Sequence, residues 1–201
     1  MTDENGFKIS DRKFDKLSKE RKGNWITTYT GRRFWPVDPH TEDIDINDIA
    51  HALSNVCRFN GHCRSFYSVA QHSVLVSKYC KKENALIGLL HDASEAYICD
   101  LAKPIKESSE MAEYKVIEAN IMSVVFDKFN LSEISEDVHI ADKRLLVSEV
   151  RDLISNNDPK NWPLWMNGTS IPQVISPVSP IKAERAFLNR YYELTNEQIK
   201  K

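Results

Sequence analysis

Four side chains set the chemical question. His91 and Asp92 stand side by side directly after Leu89 and Leu90, with Glu95 within the next turn. A carboxylate carried into an apolar interior without a partner costs several kcal/mol or changes its protonation state. A compensating charge is therefore expected beside Asp92. His72 lies at helical spacing with Val69, Val76 and Tyr79, which points it inward. Asp142 occupies a position where an apolar residue is expected, four after Val138 and just before Leu145 and Leu146. It is either salt-bridged, for instance to Lys143 or Arg144, or coordinating. Taken singly, His72 reads as a hydrogen-bonded core residue and Asp142 as a residue at a helix edge. Together, two imidazoles and two carboxylates from three inward helix faces make a cage for one divalent metal, open to water on one side.

Such a cage needs helices to hold it. The hydrophobic period is helical from Asp45 through Val56, with Asp45 or Asn47 as cap. It is helical again over 67–80, 84–98, 111–129 and 136–154, and Ser179-Pro180 starts a last helix by N-cap and N1 preference. A continuous helix over 84–98 sets His91 and Asp92 about 100° apart at nearly one height. It also places Glu95 on the face of His91, four residues on. Upstream, WITTYTGRRFWPVDP fits a small hairpin over 23–36, with Thr30-Gly31 in its turn and Pro36 ending the run. Residues 1–22 read as a loose arm or short surface helix, and 100–109 as a loop around Pro104. The stretch 155–178 is rich in Pro and Trp and reads as a loop, its WPLWM segment (162–166) either an interface or a latch over the core. The expectation is one all-α domain over 1–201, with helical core 45–154, loop and final helix 155–201, and a β appendage.

Bulk properties narrow the function classes. A chain of 201 residues, 41% hydrophobic and 28% charged, suffices for one full-sized globular domain. Its formal net charge of -2 gives no overall pull toward nucleic acid, and no basic, aromatic-interleaved face stands out. An anionic substrate must be met by a local site. Cys57, Cys63, Cys80 and Cys99 show no CxxC spacing, so reduced thiols in a cytoplasmic protein are expected. No apolar run approaches the roughly 20 residues of a membrane span, and the Asn167-Gly168-Thr169 pattern is taken as chance.

The ordered pattern His72, His91-Asp92, Asp142 on successive helices resembles the HD-domain phosphohydrolase superfamily. SVAQHS around His72 and HDASEAYICDLAKPIK are similar to segments of HD-type 5′-deoxynucleotidases. The upstream block TYTGRRFWPVDP with IDINDIAHALSNVCRFNGHCRSFYSVAQHS more closely resembles phage and bacterial relatives that include dATP triphosphohydrolases. The likeness runs from about Ile26 to Arg151. It implies an HD-domain helical bundle in which His72, His91, Asp92 and Asp142 are the metal ligands. Glu95 would position or deprotonate the attacking water, and Asp100 would act near the leaving group or sugar. Arg58, fourteen before His72, falls at a phosphate-contacting arginine, and Lys106 is a second cation beside the phosphate. By residue type alone, Arg58, Glu95 and Lys106 also read as solvated surface charges, Lys106 more than Glu95, whose spacing sets it on the face of His91.

The resemblance also bears on cofactors and substrate. Binuclear relatives carry two extra histidines between the HD pair and the final Asp, and here only His139 lies in that interval. One firmly bound transition metal (Zn, Co or Mn) is expected, with any second ion (Mg, Co or Zn) held by substrate phosphates or Glu95. Trp25, Ile26, Arg32 and Arg33 of the hairpin would sandwich a purine and meet phosphates. Alternatively, Trp25 and Phe34 simply pin the hairpin to the helices. His62, after the permissive Gly61, either lines the substrate pocket or has no role. His51 is expected to be structural, and His40 and His139 to face solvent. The leading expectation is a triphosphohydrolase converting dATP to deoxyadenosine and triphosphate. The alternative is a deoxynucleoside 5′-monophosphatase, and a non-catalytic nucleotide sensor is disfavoured by the intact ligand set. Relatives of this kind form dimers or hexamers.

Overall fold

The computed structural model describes residues 21–154 and 168–196. Strands β1 (Ile26–Thr27) and β2 (Arg33–Phe34) pair antiparallel, Ile26 opposite Phe34. Helices α1 (Ile46–Asn55), α2 (Val69–Tyr79), α3 (Ala85–Leu90) and α4 (Glu95–Ile98) follow, then α5 (Lys103–Lys106), α6 (Ala112–Lys128), α7 (Glu136–Leu153) and α8 (Pro180–Thr195). Among the described residues the chain is mostly helical, with one small sheet before the first helix. The WPLWM segment and residues 1–20 of the expected arm lie outside the described residues. Arg21 and Lys22 are tied down, both reaching Asp38 Oδ2 at 3.1 and 3.0 Å.

Helix α2 is central because its sequence leaves almost no polar side to turn outward. Only alanine, serine, one glutamine and one histidine interrupt its valines and leucine over 69–77, and eight of its residues are buried. Ser68 caps it, accepting from the Gln71 amide at 3.2 Å. Val69, Ala70 and Val74 join one apolar cluster with α1, α3, α6 and α8. Leu75 and Val76 join another with Val138, Leu145 and Leu153 of α7. His72 thus sits between two cores, with helices packed on both sides.

Two expected elements differ. The single helix over 84–98 is broken at the His-Asp pair into α3, a tight turn over 91–94 and α4. Within it the amides of Ala93, Glu95 and Ala96 bond three residues back, to Leu90, Asp92 and Ala93. Residues three apart eclipse in such winding, which lines Glu95 up with Asp92 and not with His91. The expected loop around Pro104 contains the short α5, where Pro104 stands at a position that needs no amide donor.

The hairpin is pinned from below. Phe34 is fully buried and stacks on Tyr97 with ring centroids 3.9 Å apart, a burial worth about 1.5–3 kcal/mol. Asp48 of α1 accepts from the Thr30 amide at 2.6 Å and its hydroxyl at 2.9 Å.

Candidate metal centre

Both histidines have one ring nitrogen committed and the other unused. His72 is fully buried, and its Nδ1 lies 2.6 Å from Glu149 Oε1. His91 Nδ1 lies 2.9 Å from the Gly88 carbonyl oxygen. Both Nε2 atoms are buried without a hydrogen-bond partner, and in the tautomer with the proton on Nδ1 each would offer a lone pair. They face carboxylates instead. His72 Nε2 is 3.1 Å from Asp142 Oδ1 and 3.7 Å from Asp92 Oδ2, and His91 Nε2 is 3.2 Å from Asp92 Oδ2. Ligand atoms of His72, His91 and Asp142 all lie within 4.8 Å of one another. Two ligands of one tetrahedral ion stand about 3.4 Å apart at ordinary zinc–nitrogen lengths, so this group can hold a metal ion. Asp142, its side chain 41% exposed, forms the open side.

The surrounding charge also calls for a cation. Burial works against ionisation of Asp92 and Asp142, yet His91 and His72 hold Asp92 well below the carboxylate range and Asp142 at about 2. Glu149 is fully buried and still depressed by Arg58 and His72. With the imidazoles neutral, three ionised carboxylates against one guanidinium leave two negative charges in excess, the charge of a divalent ion. In the protein alone, burial and Arg58 oppose protonation of His72, but Glu149 and Asp142 raise it to about 9. A metal ion would replace that proton.

Arg58 is drawn into the cluster, and the solvated reading of it is set aside. Its Nη1 is 3.5 Å from Asp92 Oδ2 and its Nη2 3.2 Å from Glu149 Oε2. The chain leaves it through a left-handed turn, with φ of 55° at Phe59, 51° at Asn60 and 81° at Gly61. Each non-glycine residue in that region costs about 1–2 kcal/mol. The turn is clamped by the Arg58 amide to Tyr67 O (2.9 Å) and the Arg64 amide to Leu153 O (2.8 Å). Strain kept by such clamps is typical of a site that needs its shape. His62, at the end of this turn, is exposed.

Glu95 is buried, with Oε2 lacking a partner, and desolvation and the Asp92 charge push its carboxyl far up. Asp100 is raised as well, first by burial and then by Asp92, against the pull of Arg58. Lys106 pairs with Glu118 of α6 at 2.8 Å, and its charge also acts on Glu95, Asp92 and Asp100. Among the hairpin residues, Ile26 lines a pocket of about 270 Å³ with Tyr29, Asp48, His51 and Tyr97. Trp25 lies under the Arg33 guanidinium at 4.5 Å, and Arg32 pairs with Asp45 at 3.1 Å. None of those three lines the pocket. His51 stacks on Tyr29 and reaches Glu184 at 3.1 Å, and His40 pairs with Glu42 at the surface.

The uncharacterized protein YfdR of Escherichia coli (strain K12) is 38% identical to this chain over 175 residues, covering 86% of the chain and 96% of YfdR. The chain belongs to the YfdR family. An uncharacterized protein of Rhodobacter capsulatus is 36% identical over 119 residues, covering 55% of this YfdR-family chain and 60% of its own length. No protein-family model matches the sequence.

Sequence reasoning overlooked Glu149 in this YfdR-family chain. The signal was present: Val138, Asp142, Leu145, Glu149 and Leu153 recur at 3–4 residue intervals along α7, so Glu149 is a second acid on the inward stripe. Gly88 is the other. A Cβ there would stand 2.8 Å from Cys80 Sγ and 3.2 Å from the Ser77 Cα. The Cys80 thiol can swing, but the α2 backbone cannot. Gly88→Ala is expected to cost about 1–3 kcal/mol and to lower the thermal midpoint by about 2–12 °C. It should also weaken Co²⁺ binding, because the Gly88 carbonyl orients His91. Unchanged melting and affinity would show that α2 and α3 separate freely there.

Proposed function

We propose that the protein is a metal-dependent phosphohydrolase of deoxyribonucleotides with an HD-type site. The observation that carries this reading is the convergence of two buried histidine Nε2 atoms and two aspartates beside a largely buried arginine. His72, His91, Asp92 and Asp142 would hold the ion. When bound, a divalent ion neutralises phosphoryl oxygens and brings the pKa of a water toward neutrality.

The remaining steps belong to the chain. Arg58 would take two phosphoryl oxygens through its forked donors. Glu95, with its carboxyl raised well above the ordinary range by burial and the Asp92 charge, suits proton transfer with the attacking water. Water attacks the α-phosphorus and the bond to the nucleoside 5′ oxygen breaks; Asp100, also raised, can return a proton to that oxygen. The pocket under the hairpin begins one residue after Glu95, at Ala96, and its Tyr29 and Tyr97 offer flat apolar walls to a purine.

Incubation with each dNTP and dNMP plus Mn²⁺, Co²⁺, Zn²⁺ or Mg²⁺ tests the reading. The expected result is deoxyadenosine and inorganic triphosphate from dATP. Orthophosphate released from dNMPs alone would replace this with the 5′-monophosphatase. Tight nucleotide binding without turnover would make the protein a sensor, and the absence of both hydrolysis and binding would overturn the proposal.

A further inference from the structure

Glu149 touches Tyr67, His72 and Arg58 beside the cage. Its Oε1 receives the Tyr67 hydroxyl at 2.8 Å and faces His72 Nδ1 at 2.6 Å, while Oε2 faces Arg58 Nη2 at 3.2 Å. It has no solvent exposure. It stands seven residues after Asp142 on α7, two turns along the same face. Resting on the metal reading above, we propose that Glu149 is a positioning residue that joins the metal cage and the arginine clamp into one unit. One carboxylate oxygen fixes the His72 ring so that its Nε2 lone pair enters the cage. The other holds the Arg58 guanidinium beside Asp92.

Charge makes this more than packing. A guanidinium in contact with a metal-ligating aspartate opposes a dication in the same cage. Glu149 neutralises it at 3.2 Å without taking a place in the cage. An ionised partner on Nδ1 also raises the basicity of Nε2 more than a carbonyl does. His91, whose Nδ1 meets only the Gly88 carbonyl, lacks that support. The two histidines are therefore unequal ligands, and the stronger is the one Glu149 controls.

Co²⁺ titration by calorimetry and visible absorption separates the roles. Glu149→Gln keeps the shape and an acceptor for His72 but removes the charge, and is expected to weaken Co²⁺ binding about 10–100-fold. The intensity of the cobalt bands should change with it. Tyr67→Phe, which leaves the Glu149 contacts to His72 and Arg58 in place, should change affinity less than about fivefold. Thermal unfolding of the metal-free proteins reports folding separately. If Glu149→Gln does not fold, Arg58→Met/Glu149→Gln, which removes the buried charges as a pair, is expected to fold and still bind Co²⁺ more weakly than Arg58→Met. Parent-like affinity and spectrum in Glu149→Gln, or equal affinity of the double variant and Arg58→Met, overturns the inference while sparing the metal reading. A parent protein that binds no Co²⁺ overturns both.

Discussion

Asp92→Ala is expected to end metal binding and deoxynucleotide hydrolysis while leaving the helices standing. The Asp92 Oδ2 atom lies 3.2 Å from one histidine Nε2, 3.7 Å from the other and 3.5 Å from Arg58. No other described carboxylate pairs with all three. Its loss removes a ligand and the strongest counter-charge together. A metal ion supplies several kcal/mol of charge stabilisation, so turnover should fall by about 10³-fold at the least. Stability should respond far less. The side chain is 21% exposed, and Arg58 and His72 both keep Glu149. The metal-free thermal midpoint is expected to move by less than about 4 °C. Product analysis with dATP and Co²⁺ titration check the claim together. Turnover at the parent rate would remove Asp92 from the site, and unfolding would show that its role is structural.

The helices were largely legible because their signals are local. Ser68 caps α2, Asp45 caps α1, and the inward stripe of α7 follows from spacing alone. So was the pairing of His72 with the His91-Asp92 neighbourhood, since inward polar residues on packed helices must meet something. The break after Leu90 was not legible. Its residues keep near-helical dihedrals and only the hydrogen-bond partners shift by one, a change decided by what packs above the turn. Lys106 shows the same limit. Its residue type suits a phosphate, but its partner Glu118 comes from another helix, and no local pattern announces that pair. Glu149 was missed for a different reason. It has no place among the residues that could touch an ion, and its role is to hold those that do.

Arg58→Ala is expected to cost both activity and the fold's resilience, in contrast to Asp92→Ala. Glu149 Oε2 has the Arg58 guanidinium as its charge partner at 3.2 Å, and the two side chains are 0% and 12% exposed. Removing one member of a buried pair leaves an uncompensated charge and destabilises by about 3–5 kcal/mol. For a chain of this size that lowers the thermal midpoint by about 6–20 °C. The left-handed turn that follows adds to the effect. Phe59 and Asn60 are held at positive φ partly by what anchors the turn, and Arg58 is its first residue. Arg58→Lys separates the two contributions. A single ammonium can still pair with Glu149 and recover much of the stability, but it offers no forked donor to phosphoryl oxygens. Melting near the parent with hydrolysis still deeply reduced is therefore the expected behaviour of Arg58→Lys. Were the lysine variant to hydrolyse dATP as well as the parent, the clamp would be a structural strut, and phosphate recognition would have to come from elsewhere in the site.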